Sequence, residues 1–153
     1  MNFLVAVDGS DASDAAVDHV AELAERLDAR VTVVHAVDPS VVVEGGDEPV
    51  SYTEADDMIV QEPVEDAEAR AEAVLDAAAE RLREAGVDVE TALLYGDPIE
   101  TIPDYAGAGE DGETPFDGLF VGHRGLSERY ESMVGSVAKA LVEHSPVPVT
   151  VVR

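Results

Sequence analysis

The stretch that decides the fold covers residues 117–137 and reads D-G-L-F-V-G-H-R-G-L-S-E-R-Y-E-S-M-V-G-S-V. A short apolar run ends at Gly122, glycines recur at Gly125 and Gly135, and a helical pattern begins at Ser136. Glycines let a backbone approach a ligand closely, and the first turn of a helix presents N–H groups that no carbonyl of that helix accepts. A strand, a glycine loop and a helix start in this order are typical of phosphate binding in α/β proteins.

Around this stretch, apolar runs alternate with helical patterns along the whole chain. Near-continuous apolar runs are typical of central parallel strands, whereas alternation, or a proline such as Pro148, is typical of a sheet edge. The predicted strands cover residues 2–7, 30–37, 87–94, 118–121 and 147–153. The strands at 87–94 and 147–153 are predicted to be the two edges of the sheet. With four helices between them, they predict one α/β domain over residues 1–153, an open doubly wound, Rossmann-like parallel sheet of order 3-2-1-4-5 with helices on both faces.

The helices have recognisable ends. Ser10 or Asp11 is a good N-cap for the first helix, whose predicted apolar stripe is Ala16, Val20, Leu23 and Leu27. The second covers residues 64–85 and is followed by Gly86 as a C′ residue. The third begins at Asp97-Pro98, and Pro103 is expected to kink it or end it early.

Two segments show no regular pattern. Residues 38–61 are expected to form a mobile loop over the ligand edge of the sheet, and residues 107–115 to form a loop insertion before the fourth strand.

Composition restricts the function classes. The 153 residues include 9 Lys+Arg against 34 Asp+Glu, a net charge of −25, which argues against nucleic-acid binding because phosphate contacts need a basic surface. We interpret the charge as adaptation to a high-salt cytoplasm, where self-repulsion is screened; an ordinary acidic protein is the alternative. The chain has no cysteine and no apolar run of membrane-spanning length, and residues 1–8 lack the basic start of a signal peptide. We therefore predict a cytoplasmic protein without membrane association.

The glycine pattern itself is specific. It is neither the Walker pattern G-x-x-x-x-G-K-[ST] nor G-x-G-x-x-G. With its spacing G-x2-G-x9-G-S after a buried strand, the sequence resembles the universal stress protein family, in its ATP-binding branch. The resemblance extends over nearly the whole chain, through V-A-V-D-G-S (5–10), V-V-H-A-V (33–37), G-D-P (96–98) and H-S-P-V-P-V-T-V-V (144–152).

The resemblance implies an ATP site and a homodimer formed through the C-terminal strand, residues 147–153. Motif glycines and a serine would hold ribose and phosphates, an acidic segment would end the first strand, and a main-chain group after the second-strand histidine would meet adenine. In chain order, the implied binding residues are Ala6, Val7, Asp8, Ala36, Val121, Gly122, Arg124, Gly125, Gly135, Ser136 and Val137. His123 departs from the family pattern, which usually has a small hydroxyl residue there, as do Pro103 and the 107–115 insertion.

Several of these residues have two possible roles. Asp8 suits a phosphate-bound Mg²⁺ or a ribose hydroxyl, but equally a turn through residue 11. Arg124 and Arg129 suit an anion, or ion pairs with Glu128 or Glu131. His123 either contacts phosphate or sugar, or is incidental to the loop.

The leading hypothesis is a regulatory ATP-binding module. The alternatives are a slow ATPase or a phosphoryl or nucleotidyl transferase, and a nucleotide-free dimerising scaffold. No catalytic residue is predicted, because no nucleophile stands beside an evident general base, and the four histidines have no metal-ligand spacing. Gly122→Val or Gly135→Val is expected to abolish binding by filling the space that the phosphates need.

Overall fold

A computed structural model describes residues 1–38, 64–125 and 134–153. These residues form five strands and four helices in alternation. The strands are β1 (Asn2–Ala6), β2 (Arg30–Val37), β3 (Val89–Tyr95), β4 (Gly118–Gly122) and β5 (Val149–Val152). The helices are α1 (Asp11–Leu27), α2 (Val64–Glu84), α3 (Pro98–Ala108) and α4 (Ser136–His144).

The strands form one parallel sheet in the order β3-β2-β1-β4-β5. This confirms the predicted fold class, the strand order and both edge strands. β1 is central and pairs with β2 on one side and β4 on the other, so the loops after β1 and β4 leave the sheet side by side at its carboxyl edge. In doubly wound sheets ligands bind at this edge, where the strand order reverses.

The three inner strands β1, β2 and β4 are buried on both faces because most of their residues are apolar. Odd-numbered residues of β1 and β2, such as Val5 and Val33, pack against α1 and α2. Even-numbered residues, such as Leu4 and Val34, pack against α3 and α4. Strand side chains alternate between faces, and the runs therefore serve two cores at once.

The predicted capping residues of the first three helices are confirmed. Ser10 is the N-cap of α1 and accepts a hydrogen bond from the Ser13 N–H at 3.1 Å. Asp97 caps α3 by accepting from the Ile99 N–H at 2.9 Å. Gly86 follows α2 with φ 77°, a left-handed conformation that glycine adopts without strain.

Some predicted boundaries differ from the structure. α3 does not end at Pro103 but continues to Ala108, so it takes in the first two residues of the predicted 107–115 loop. A proline inside a helix removes one backbone hydrogen bond and crowds one carbonyl, yet Pro103 is buried and the helix continues past it. Leu27, assigned to the apolar stripe of α1, is the last residue of that helix and is 50% exposed.

The predicted loop at residues 38–61 lies, from residue 39 onward, outside the described residues. No helix in the described part of the chain is long and apolar enough to cross a bilayer.

Candidate functional site

A cleft of about 260 Å³ opens at the carboxyl edge of the sheet, between the ends of β1, β2 and β4 and the starts of α1, α3 and α4. Its volume is close to the lower end of the range, about 300–1,000 Å³, of sites that hold small molecules. It is lined by Ala6, Val7, Asp8, Ser13, His35, Ala36, Pro98, Ile102, Val121, Gly122, Arg124, Gly125, Gly135, Ser136, Val137 and Ala138.

The cleft brings together all eleven implied binding residues but not His123, the candidate with an open role. Residues from both halves of the glycine pattern lie beside Asp8 from β1 and Ala36 from β2, although these segments are far apart in sequence. His123 is 9% exposed and lies outside the lining. Its N–H donates to the Val152 carbonyl and its carbonyl accepts from the Gly135 N–H, so its backbone connects the end of β4 to β5 and to the start of α4.

Asp8 has a defined orientation in the turn that follows β1. Its Oδ1 accepts from the Ser10 N–H at 2.9 Å, which is the turn-forming role considered from sequence. Its Oδ2 lies on the side of Gly125, since a Cβ added to Gly125 would stand 2.7 Å from that oxygen. The carboxylate therefore supports the turn with one oxygen and lies against the glycine loop with the other.

Gly122 and Gly125 meet different neighbours. A Cβ at Gly122 would lie 2.6–2.8 Å from backbone atoms of Ala12 and Ser13, in the first turn of α1. The close approach of the α1 backbone therefore requires a glycine at position 122, independently of the space that phosphates would need there. At Gly125 the neighbour is the end of a side chain, that of Asp8.

Two of the three helices that begin at the cleft, α1 and α4, differ in their N-termini. α1 has a serine N-cap and carries Asp11 and Asp14 in its first turn. α4 has Gly135 as its N-cap, with no side-chain cap bond and no acidic residue in its first turn. Because acidic side chains offset the positive end of the helix dipole, α4 is the end that favours an anion.

Positive charge reaches the cleft through Arg124, which is half-buried in its lining. The charge on a guanidinium persists at any physiological pH, and its planar donor set suits phosphate. Arg129, Glu128 and Glu131, the other members of the predicted anion or ion-pair set, lie outside the described residues.

Sequence reasoning missed five residues of the cleft lining: Ser13, His35, Pro98, Ile102 and Ala138. Pro98 and Ile102 give the cleft an apolar wall on the side of Ala36, because α3 packs on the same sheet face as Val34. His35 lies in β2, and its ring Nδ1 is 2.6 Å from the Val7 carbonyl oxygen. Ser13 accepts from the Asp8 N–H at 3.4 Å and donates to the Ser10 carbonyl at 3.0 Å.

Among the residues that the structure describes, one carboxylate lines the cleft, that of Asp8. Among the described residues, no group of three His, Asp or Glu side chains lies close enough to hold a metal ion by protein ligands alone. A Mg²⁺ site with one protein carboxylate and several phosphate oxygens is chemically consistent with this set, since Mg²⁺ is commonly held that way.

Comparison with known proteins gives a family match over the full length. The model of the universal stress protein family matches residues 1–153. Universal stress protein YxiE of Bacillus subtilis (strain 168) is 31% identical over 150 residues, covering 98% of this chain and 97% of that protein.

Solved structures agree in fold. The universal stress protein UspA from Lactobacillus plantarum superposes with a TM-score of 0.70 at 28% identity, covering 100% of this chain and 97% of that one. A universal stress protein crystallised in complex with cAMP superposes with a TM-score of 0.68 at 25% identity, covering 100% and 96%.

Proposed function

This chain belongs to the universal stress protein family, and from that premise we propose that it is a regulatory module that binds an adenine nucleotide, ATP, in the cleft. The observation that carries the proposal is the meeting of Asp8, Ala36 and the glycine pattern in one cleft, although they come from three separate strand ends. The relative in complex with cAMP supports an adenine nucleotide as the ligand class.

The cleft suggests how the ligand lies. The apolar wall of Pro98 and Ile102 next to Ala36 suits the flat faces of a base. The start of α4 and Arg124 suit the phosphates, because both favour negative charge. Asp8 follows the central strand β1, which lies between β2, the strand of Ala36, and β4, the strand before the glycine pattern. Its carboxylate suits ribose hydroxyls or a phosphate-bound Mg²⁺.

Asp8→Asn tests the part that Asp8 plays. Asparagine keeps an Oδ1 acceptor for the Ser10 N–H, so the turn is retained while the charge is lost. We expect unchanged thermal stability and an ATP affinity that no longer rises on adding Mg²⁺, measured by calorimetric titration with and without the metal. Equal Mg²⁺ dependence in wild type and variant would remove Asp8 from the metal site.

The ligand itself is tested by two measurements. Mass spectrometry of small molecules released from denatured protein identifies a retained nucleotide, and calorimetry with ATP, AMP and GTP ranks added ones. Absence of retained nucleotide together with no measurable heat for any of the three would support the nucleotide-free scaffold instead.

A binding role is favoured over an enzymatic one because the cleft holds one carboxylate and no nucleophile–base pair was found in the sequence. Incubation with ATP and measurement of ADP release separates the two. Turnover at ordinary enzyme rates, about 1–10³ per second, would make the protein an ATPase or transferase.

We also propose a cytoplasmic homodimer joined through residues 147–153. In β5, the Pro148 and Val152 carbonyls accept bonds from β4, so even-numbered residues face the sheet and odd-numbered residues such as Val151 direct their backbone outward. Val151→Pro therefore removes an outward N–H, whereas Thr150→Pro removes one that faces β4. Analytical ultracentrifugation is expected to show a folded monomer for the first variant; a folded dimer would contradict this interface.

A further inference from the structure

The hydrogen-bond ladder between β1 and β2 ends where a histidine side chain replaces the next backbone N–H as donor. Paired residues end at Ala6 and Val34, and the Val7 N–H then donates to the Val34 carbonyl at 2.9 Å. In a regular parallel ladder, the Val7 carbonyl would next accept from the N–H of Ala36. Instead, Nδ1 of His35 lies 2.6 Å from that carbonyl oxygen.

The backbone direction of Ala36 follows from its neighbours in β2. The Val34 carbonyl accepts from Val7, so even-numbered residues direct their N–H and C=O toward β1. The Val37 carbonyl accepts from the Gly96 N–H at 2.8 Å, so odd-numbered residues face β3. Ala36 thus directs its backbone groups past the end of β1, at the cleft that it lines.

The His35 side chain belongs to the opposite sheet face from that of Ala36. Val33 and Val31, two and four residues earlier, pack against α1 and α2, and alternation assigns His35 to the same face. Because a carbonyl oxygen carries no hydrogen, the Nδ1 of His35 is the donor in this bond. The ring therefore holds Val7 from the side of α1 and α2, while α3 supplies the apolar wall of the cleft.

We propose that His35 is a positioning residue for base recognition: by occupying the Val7 carbonyl, it keeps the N–H and C=O of Ala36 available to a purine edge. This rests on the proposed nucleotide site. A 6-aminopurine offers an acceptor at N1 and a donor at its amino group, which complement one N–H and one C=O. A 6-oxopurine held by the same ribose exchanges donor and acceptor, so both contacts become unfavourable.

The first test compares AMP with IMP by calorimetry in wild type, His35→Leu and His35→Asn. Wild type is expected to favour AMP by about tenfold or more, in line with paired hydrogen bonds to a base edge. Leucine has no donor, so the Ala36 N–H can bond to Val7 and the preference is expected to fall below about threefold. Asparagine can place its amide nitrogen where Nδ1 was, and is expected to restore the preference.

The second test needs no ligand. Amide hydrogen exchange by NMR is expected to show a fast-exchanging Ala36 N–H in wild type beside a protected Val34 N–H. In His35→Leu, the Ala36 N–H is expected to become protected by about tenfold or more as the ladder extends. If the leucine variant does not fold, His35→Gln replaces it, because its amide nitrogen corresponds to Nε2 rather than Nδ1.

The outcomes separate this inference from the proposed function. If wild type binds AMP and the leucine variant keeps the same AMP-to-IMP ratio, the role of His35 is wrong and the nucleotide site stands. If wild type gives no heat with AMP, IMP or ATP, the proposed function is wrong and base recognition is wrong with it; if it binds ATP but not AMP, ATP and ITP replace AMP and IMP in the comparison. An Ala36 N–H as protected as that of Val34 in wild type would overturn the backbone argument directly.

Discussion

At the scale of single residues, two of the motif glycines differ in what an added side chain would meet. Gly122→Ala places a methyl group 2.6 Å from the Ala12 backbone, which cannot rotate away, so we expect a loss of about 1–3 kcal/mol in the free energy of unfolding. Gly125→Ala meets only the Asp8 carboxylate, which can turn, so we expect stability within about 1 kcal/mol of wild type.

Urea denaturation measures both stabilities, and ATP titration is expected to show weaker binding for Gly125→Ala because the Asp8 carboxylate is displaced. The two variants serve as each other's control, since the chemical change is identical. Equal stability losses at both positions would contradict this division.

The site could be predicted from sequence where its residues belong to a local pattern. The spacing from Gly122 to Ser136 is such a pattern, and the acidic end of β1 follows directly from an apolar run. Pro98 and Ile102 carry no comparable signal, because they reach the cleft only through the packing of α3 on the sheet. The need for glycine at position 122 likewise cannot be read from local sequence, because the helix that leaves no space for a Cβ there lies more than 100 residues away.

At the scale of elements, the segment between α3 and β4 is fastened to the sheet. The buried Thr32 hydroxyl in β2, 1% exposed as a residue, donates to the carboxylate of Glu110. Burial raises the pKa of Tyr105, and the negative charge of the Glu110 carboxylate raises it further. This carboxylate therefore lies near Tyr105, in the last turns of α3. What sequence reasoning described as an insertion therefore supplies an acceptor for a core hydroxyl.

Glu110→Ala is expected to lower the free energy of unfolding by about 1–3 kcal/mol, because it deprives a buried hydroxyl of its acceptor. Thr32→Val combined with Glu110→Ala is expected to recover most of the loss, since both polar partners are then gone. A double-mutant cycle by chemical denaturation gives the coupling; additive losses would show that the two side chains act independently.

The same segment has a pH-sensitive turn. Asp111 accepts from the N–H of Glu113 and of Thr114 and from the Thr114 hydroxyl, and these bonds lower the pKa of its carboxyl to about 2 from 3.8. A lowered folded-state pKa adds stability above the unfolded-state value, which is lost as pH falls from about 4 to about 2. The melting-temperature gap between wild type and Asp111→Ala is therefore expected to narrow over that range; a gap unchanged from pH 7 to pH 2 would contradict it.

Elements were predictable where apolar periodicity and caps agree. β2 has the predicted bounds, and Ser10 and Asp97 cap α1 and α3. Pro103 shows the limit: its cost to a helix is a local property, whereas its burial against neighbouring elements depends on the fold.

At the scale of the whole molecule, the net charge of −25 opposes the approach of a ligand with about four negative charges. Raising salt from about 0.1 to 1 M shortens the screening length from about 10 to 3 Å, so ATP affinity is expected to be higher near molar KCl than in dilute buffer. Calorimetric titration at both salts measures this. Adenosine, which is uncharged, is the control and is expected to respond less; tighter ATP binding in dilute buffer would contradict the proposal of a high-salt cytoplasm.

The central place of β1 has a consequence for how the molecule is made. Asn2 bonds to Asp117 across 115 residues, and β1 pairs with β4 along its length. During synthesis, β1, α1 and β2 can associate as a local unit, while β4 must wait for most of the chain, because contacts distant in sequence form at a high entropic cost. The cleft is lined by residues from both sides of the pairing between β1 and β4, so a nascent chain forms it only after β4 has joined the sheet. Nucleotide binding during translation would therefore begin only once β4 has paired with β1, and its onset would give the time at which that pairing occurs.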